Sequence, residues 1–251
     1  MTDTVDRFSN RIANYVKYRP DYPREIVGFL ADNCRLTADS VIADIGCGPG
    51  ISSKMFLENG NRVFGAEPNE GMRDAAIKYL AEFSNFTPVD GSAEATTLRD
   101  ASIDMAVAAQ AFHWFDPAKA RAEFRRILRP GGHIVLMWNE RQLDTTPFLV
   151  KYEEFLLRYA TDYSKVRHEN VDSLKLDSFF QNAYGSAVFE NVQVFDFDGL
   201  KGRMFSSSYM PNEAEPIAEA MVDELYSLFA KHSENDRINV FYDTRVYHSQ
   251  V

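Results

Sequence analysis

The chain has 251 residues and a formal net charge of −10, from 37 acidic side chains against 27 Lys and Arg. This length suits one α/β domain, residues 1–251, with an elaboration. A net negative field repels phosphate backbones and anionic lipid headgroups, so we expect no nucleic-acid and no membrane partner. The only cysteines, Cys34 and Cys47, lack the spacing of a disulfide framework or a metal site. Because of this cysteine spacing, the chain is expected to hold no metal. Without a secretory pattern at its start, it is expected to be cytoplasmic.

Residues 1–30 are interpreted as an N-terminal lid segment. A short helix is predicted from about Val5 to Lys17. The two prolines of the segment YRPDYP, residues 18–23, then force an extended turn. A second helix is predicted over residues 24–33, where apolar side chains recur at helical spacing.

The segment VIADIGCGPG, residues 41–50, predicts a buried parallel strand that ends in a tight loop beneath a ligand. Its glycines, Gly46, Gly48 and Gly50, allow positive φ and close approach of a small molecule. A dinucleotide-binding loop requires G-x-G-x-x-G, but Ile51 stands where the third glycine would be needed. The spacing therefore argues against a pyrophosphate, and no triphosphate-binding motif is present.

A helix to about Asn59 and a strand over residues 62–66 follow, and the strand ends at Glu67. Glu67 lies 21 residues after Gly46, the separation at which an acid at the end of the second strand reaches ribose hydroxyls. The alternative is a solvated surface acid. Asn69 is predicted to cap a helix through residue 83. Met72 in its first turn is placed to contact an adenine face.

Strands are next predicted over residues 86–89, 103–109 and 133–138, with a helix capped by Asp116 and Pro117 before the last of them. His113 follows the second of these strands, at the edge where open α/β sheets place their ligands. It is the candidate catalytic residue, as a general base for a hydroxyl or amine. The alternative is that His113 orders its loop or contacts a cofactor together with Trp114.

Alternating strands and helices predict a parallel sheet with helices on both faces. Residues 139–187 are interpreted as a substrate-covering insertion that includes a helix over residues 147–160. Residues 188–197 and 239–247 alternate like strands. Between them, Asn212 and Glu215 predict a capping box at the start of a helix to Lys231.

In chain order, the motifs YRPDYP, DIGCGPG, GSAE, AQAFHWFD, RPGGHIVLMWNER and GRMFSSSYMP resemble those of the class I S-adenosylmethionine (SAM) dependent methyltransferases. The similarity is to the type 11 family and its small-molecule, trans-aconitate-methyltransferase-like members. It implies a three-layer α/β/α Rossmann-like fold with a seven-stranded, mostly parallel sheet of order 3-2-1-4-5-7-6, the last strand antiparallel. It implies SAM as cofactor, S-adenosylhomocysteine (SAH) as product, and cofactor contacts from Tyr15, Arg19, Asp44, Gly46, Cys47, Gly48, Glu67, Pro68, Met72, Ser92, Ala93, Glu94, Gln110, Ala111 and Trp114.

Two of these assignments carry alternatives. Many relatives have an acid where this chain has Ser92, so the adenine contact is expected to pass to the main chain of Ala93 or Glu94. Tyr15 and Trp114 either hold the sulfonium by cation–π attraction or are ordinary packing.

The methyl acceptor is predicted to be a small molecule that carries a carboxylate, because four arginines, Arg11, Arg19, Arg141 and Arg203, lie in segments expected over the strand ends. One of these segments, residues 201–211, is expected to be a loop. Arg19 has a second interpretation, as the partner of the cofactor's own carboxylate. Alternatives are an apolar aromatic or quinone-like acceptor, a SAM-binding regulatory protein without catalysis, and a nicotinamide-dependent oxidoreductase. The chain is expected to be a monomer or a homodimer.

Overall fold

The computed structural model describes residues 12–161, 163, 173–181 and 183–251. Arg11 and the first part of the predicted lid, residues 1–11, lie outside the described residues. So do residues 162, 164–172 and 182 of the predicted insertion.

Seven strands form one sheet in the order β3-β2-β1-β4-β5-β7-β6, which confirms the predicted order. The strands are β1 Val41–Ile45, β2 Arg62–Ala66, β3 Phe86–Val89, β4 Ile103–Ala109, β5 Leu128–Arg141, β6 Gly185–Phe195 and β7 Ile238–Gln250. The strands β3, β2, β1, β4 and β5 run parallel to their neighbours. Their carboxyl ends therefore lie at one edge, where the loop after β1 and the residues after β2 and β4 come together.

β7 runs antiparallel to β5. The Val251 amide donates to the Gly132 carbonyl at 2.9 Å, whereas the Gln142 amide donates to the Phe241 carbonyl at 2.9 Å. The two partners thus move in opposite directions along the chain, as antiparallel pairing requires. The sheet is mixed, as predicted.

Along the chain, helices alternate with the first strands of this sheet. They are α1 Ile12–Tyr18, α2 Glu25–Cys34, α3 Ile51–Glu58, α4 Glu70–Tyr79, α5 Pro117–Ile127, α6 Pro147–Tyr159, α7 Ser173–Phe180, α8 Phe197–Phe205 and α9 Ala218–His232. The predicted caps at Asn69 and Asp116 are confirmed, since their side chains accept hydrogen bonds from the Met72 and Lys119 amides.

Several predicted elements have other bounds in the structure. Two strands are longer or shifted, since β5 begins at Leu128 rather than residue 133 and β6 spans Gly185–Phe195 rather than residues 188–197. α4 ends at Tyr79 rather than residue 83, because Leu80 leaves the helical conformation and residues 80–83 form a turn. Asn212 and Glu215 do make the predicted contact, 2.6 Å from amide to carboxylate. The helix nevertheless begins only at Ala218, because Pro216 disfavours helical backbone in the residue before it. The segment 201–211, expected as a loop, begins inside α8, which Asp196 caps.

The described chain forms two compact units. The sheet unit comprises residues 21–139, 171–189 and 244–251. It has two apolar cores. The consecutive β4 residues Ala106 and Val107 belong to different cores, because successive side chains of a strand point to opposite faces of the sheet. The aromatic unit comprises the described residues within 1–20, 140–170 and 190–243, and its core includes stacked Phe148 and Tyr152. Assignment of the whole chain to a single domain stays a prediction.

None of the helices described here is long and apolar enough to cross a bilayer.

Candidate functional site

The glycine loop after β1 has three glycines with different structural requirements. All three have positive φ, +68° at Gly46, +54° at Gly48 and +90° at Gly50. A Cβ on Gly46 would lie 2.7 Å from the Cβ of Ala111, and one on Gly50 would lie 2.6 Å from a Leu80 methyl. At Gly48 a Cβ would meet nothing within 4 Å. Gly46 and Gly50 are therefore required by neighbouring protein, and Gly48 is the glycine over which space is open.

Glu67 joins this loop to the end of β2. Its side chain is 9 % exposed. One carboxylate oxygen accepts the Gly48 amide at 3.0 Å and the other accepts the Asn69 amide at 2.9 Å. Burial raises the pKa of Glu67 and outweighs the lowering effect of these two hydrogen bonds. Each oxygen can accept a further donor, so Glu67 is able to receive two adjacent hydroxyls while it remains attached to the loop.

Asp44, the last-but-one residue of β1, is fully buried. Its Oδ2 accepts the hydroxyls of Ser52 at 2.7 Å and Ser53 at 2.6 Å, in the first turn of α3. Its Oδ1 has no partner among the described residues. Burial raises the pKa of Asp44 to about 6, and the two serine hydrogen bonds oppose that shift. One carboxylate oxygen is thus used to hold the helix, and the other is available to a ligand.

The residues predicted for the adenine end lie around the start of α4 and the turn after β3. Met72 is 4 % exposed, while Pro68 lies at the surface. Ser92 and Ala95 form a small antiparallel bridge through their main chains. The Glu94 carboxylate accepts the Asp116 amide at 2.9 Å. The Glu94 side chain therefore fixes the start of α5. The main chain of Ser92 is used in the bridge and the Glu94 amide bonds to the Ser92 hydroxyl, whereas the main chain of Ala93 takes no part in either contact.

Gln110, directly after β4, adopts the left-handed conformation with φ +55°. Its amide nitrogen donates to the Asn139 carbonyl at 3.0 Å, and its Oε1 is buried without a partner among the described residues. Asn139 is itself buried and accepts a hydrogen bond from Thr244. Sequence reasoning did not find Asn139, Thr244, Ser52 or Ser53. In the sequence these four residues are marked only as small polar residues beside a predicted strand or at a predicted helix start, which does not indicate a role in the site.

His113 and Trp114 lie in a short 3₁₀ turn after Gln110, with ring centroids 4.6 Å apart. Trp114 is 37 % exposed. Burial, followed by the charge of Lys175, lowers the pKa of His113 to about 4. The imidazole is therefore neutral at neutral pH but a weak base. General-base catalysis by His113 stays a prediction, and this pKa does not favour it.

The structure brings most of the predicted cofactor residues together in the sheet unit, including Cys47, whose side chain is buried beside Gly65. Two predicted residues, Tyr15 and Arg19, belong to the aromatic unit. There the Arg19 guanidinium lies 4.7 Å from the centroid of the Tyr15 ring. Their role toward a cofactor stays a prediction.

Among the residues that the structure describes, no three or more His, Cys, Asp or Glu side chains lie together so that they could hold a metal ion.

Comparison with known proteins gives matches at three levels. Residues 43–136 match the sequence model of a methyltransferase domain. The whole chain is 28 % identical over 255 aligned residues to an uncharacterised methyltransferase-like protein of Schizosaccharomyces pombe, with 100 % of this chain and 98 % of that protein covered. It is 35 % identical over 134 residues to an uncharacterised methyltransferase of Mycobacterium tuberculosis, with 53 % of this chain and 52 % of that protein covered.

Among solved structures, a putative type II methyltransferase from Anaeromyxobacter dehalogenans superimposes with a TM-score of 0.71 at 20 % identity, over 93 % of this chain and 98 % of that one. This match concerns the fold, which is that of the class I methyltransferases. Residues 43–136 form a methyltransferase domain, and the chain is a methyltransferase.

Proposed function

We propose that this methyltransferase transfers a methyl group from SAM to a small-molecule acceptor that carries a carboxylate. The observation that carries the proposal is the bonding of Glu67, which joins the Gly48 and Asn69 amides at the edge where parallel strands end. A carboxylate fixed in this way is prepared to accept both hydroxyls of a ribose.

The residues at this edge suit the two ends of SAM. The unpartnered Oδ1 of buried Asp44 is an acceptor for the ammonium of the methionine end. The open space above Gly48 leaves room for the ligand's close approach. Met72, Ser92 and the main chain of Ala93 or Glu94 are assigned to the adenine, with the Ser92 contact the weaker one because its main chain is bonded to Ala95. Gln110, Ala111 and Trp114 are assigned to the region of the sulfonium, with the alternative for Trp114 that it only packs against His113.

When bound, SAM supplies a methyl carbon activated by a positively charged sulfur. The acceptor's lone pair forms the new bond to this carbon as the carbon–sulfur bond breaks, and SAH leaves with the electron pair of that bond. The protein must align the three atoms, which accounts for most of the rate enhancement that such a site can supply. A carboxylate oxygen brings no proton to the reaction, so this acceptor class needs no general base and is consistent with the weak basicity of His113.

The function is tested in two steps. Isothermal titration measures binding of SAM, SAH and NAD to the purified chain, and we expect the first two to bind and NAD to fail. Labelled SAM is then incubated with the chain and a panel of small carboxylates and carboxylate-free aromatic acceptors. Transfer of label to a carboxylate supports the proposal. Transfer only to aromatic acceptors contradicts the acceptor class, and binding without any transfer favours the regulatory alternative.

A further inference from the structure

The aromatic unit contains one buried arginine, Arg203, and one partly buried arginine, Arg19, and neither has an acidic partner among the described residues. We call them, with the four side chains around them, the two-arginine cluster; its members are Arg19, Arg203, Ser206, Ser207, Tyr209 and Tyr242. All six belong to the same compact unit. Nothing in the comparisons assigns a role to any of them.

Arg203, in the last turn of α8, is 7 % exposed, and its described hydrogen-bond partners, Tyr242, Ser206 and Ser207, are neutral. Its Nε donates to the Tyr242 hydroxyl at 3.3 Å, and its Nη1 donates to the Ser207 hydroxyl at 2.9 Å. Tyr242 in turn donates its proton to Gln193 at 2.8 Å, so that its lone pairs face Arg203. The guanidinium is thus held in a fixed orientation without being neutralised.

Arg19 adds a second uncompensated charge. Its Nη2 donates to the Ser206 carbonyl at 3.0 Å, and its buried Nε has no partner among the described residues. Burial and then the charge of Arg203 lower the pKa of Arg19, which indicates that the two guanidinium groups repel each other. Two like charges that repel each other away from bulk water are unfavourable unless a counter-charge is supplied.

The cluster differs in this respect from Arg141 in the same unit. The side chain of Arg141 is 9 % exposed, and it forms an ion pair with Glu153 and a hydrogen bond with Tyr163. No described acidic side chain forms such a pair with Arg19 or Arg203. Arg141 is therefore neutralised within the protein, whereas Arg19 and Arg203 are paired with no described acidic side chain.

The pKa of Tyr209 shows the effect of the positive electrostatic potential around the two arginines. Its burial favours the neutral phenol and would raise its pKa, yet the charges of Arg203 and Arg19 outweigh burial and lower the pKa. A lowered phenol pKa in a partly buried position indicates a positive potential, which would also favour a bound anion. The carbonyl end of α8 next to Arg203 bears partial negative charge and so disfavours a doubly charged phosphate relative to a carboxylate.

We propose that Arg19 and Arg203 together bind a carboxylate through their guanidinium groups. This inference rests on the proposed function, which offers two sources of such a group: the acceptor or the methionine end of the cofactor. Because a carboxylate paired with two arginines is a weakened nucleophile, an acceptor held here must carry a second group that receives the methyl. The cluster is then a positioning site.

The test compares Arg203→Met and Arg203→Lys with Arg158→Met as a matched control. Arg158 forms an exposed ion pair with Glu224 and lies outside the cluster. The probes are acetate, succinate, citrate and inorganic phosphate, titrated into SAH-saturated protein, and SAH and 5′-methylthioadenosine, titrated into free protein. The last compound lacks the amino-acid carboxylate of SAH. Thermal unfolding of each variant checks that it is folded.

If the carboxylate belongs to the acceptor, Arg203→Met weakens succinate or citrate about ten- to hundredfold and leaves SAH affinity unchanged. If it belongs to the cofactor, Arg203→Met weakens SAH to the same extent and spares 5′-methylthioadenosine. Arg203→Lys is expected to lie in between, because it keeps the charge and loses the fork. Equal affinities in Arg203→Met and Arg158→Met, or tighter binding of phosphate than of every carboxylate at this site, would overturn the proposal.

A second measurement decides the matter in the unmodified chain should the Arg203 variants not fold. Ultraviolet titration of tyrosine ionisation, assigned to Tyr209 by comparison with Tyr209→Phe, is recorded with and without the probe that binds. A carboxylate bound to the cluster neutralises the positive potential and should raise the pKa of Tyr209. An unchanged Tyr209 titration at saturating probe contradicts the proposal. Failure of the unmodified chain to bind SAH would instead contradict the proposed function.

Discussion

At the scale of single residues, Asp44 makes a specific contribution to the pH dependence of stability. Burial raises its pKa to about 6 in the folded protein, above the unfolded value of 3.8. The folded chain therefore binds the proton more tightly, and Asp44 lowers the free energy of unfolding as the pH rises through 6. Relative to Asp44→Asn, the parent should lose roughly 1–1.5 kcal/mol of unfolding free energy between pH 5 and pH 7.

Urea unfolding of both proteins at pH 5, 6 and 7 measures this difference. A constant offset between them is expected from the changed hydrogen bonds to Ser52 and Ser53, and it cancels in the comparison across pH. An offset that does not change with pH would show that Asp44 titrates at its ordinary value.

His113 gives a second prediction at this scale. Since its pKa lies at about 4, the imidazole does not change charge between pH 5 and pH 8. Replacement by Asn should therefore keep kcat within a few-fold and leave the shape of the pH profile unaltered over that range. Loss of kcat by about a hundredfold or more, together with loss of an inflection, would establish general-base catalysis.

Residue types predicted the main features of the candidate site but not the residues that support them. Glu67 and the cap at Asn69 follow from spacing along the sequence, because a strand end and a helix start are local features. Ser52, Ser53, Asn139 and Thr244 were not foreseen. Their partners are set by packing between elements, and a lone serine or asparagine has no periodic signal that distinguishes it from a surface residue.

At the scale of elements, α1 and α8 meet at a position that only glycine permits. A Cβ at Gly202 would lie 2.1 Å from the ring of Tyr18. Gly202→Ala should therefore displace Tyr18 and lower the free energy of unfolding by about 1–3 kcal/mol, the usual cost of overpacking. Gly28→Ala is a matched control within a helix, since a Cβ there meets nothing within 4 Å.

Thermal and urea unfolding of the two variants make the comparison. The control is expected to be neutral or slightly stabilising, because alanine has the higher helix propensity. If both variants unfold like the parent, the close contact between Gly202 and Tyr18 does not exist in solution.

Strand positions were predictable because buried parallel strands form continuous apolar runs, and β1 to β4 match their predicted starts or bounds closely. The ends of the helices were less predictable from the sequence. α8 was not predicted. Its two interior glycines lower its intrinsic helix propensity, yet Asp196 caps it and Gly202 is needed for the contact with Tyr18. α9 was predicted too early because the capping contact of Asn212 and Glu215 exists without a helix behind it.

At the scale of the whole molecule, the sheet order could be predicted because it follows from the resemblance to class I methyltransferases. The division into two compact units could not, because it depends on contacts between residues far apart in sequence, such as Arg19 with Ser206. The two-arginine cluster could not be predicted for the same reason, because it depends on contacts between residues far apart in sequence. The sequence does not distinguish Arg141 from Arg203 as candidate cations, and only the ion pair of Arg141 separates them.

The whole chain should also be stabilised by its cofactor product. Ligand that binds only the folded state adds about 2.7 kcal/mol at a hundred times Kd. For a chain of this size we therefore expect saturating SAH to raise Tm by roughly 5–10 °C. NAD at the same concentration serves as the control and should leave Tm unchanged. An equal shift with both compounds would point to a nucleotide site of low specificity.

The central claim, that Glu67 holds the ribose of SAM, is tested most directly by isothermal titration of SAM into Glu67→Gln and Glu70→Gln. Glu70 is the matched control, an exposed acid three residues along in the first turn of α4. Loss of the charged acceptor at Glu67 should weaken SAM by about 1.5–3 kcal/mol, roughly ten- to a hundredfold, whereas Glu70→Gln should bind within twofold of the parent. Parent-like affinity in a folded Glu67→Gln protein would contradict the account.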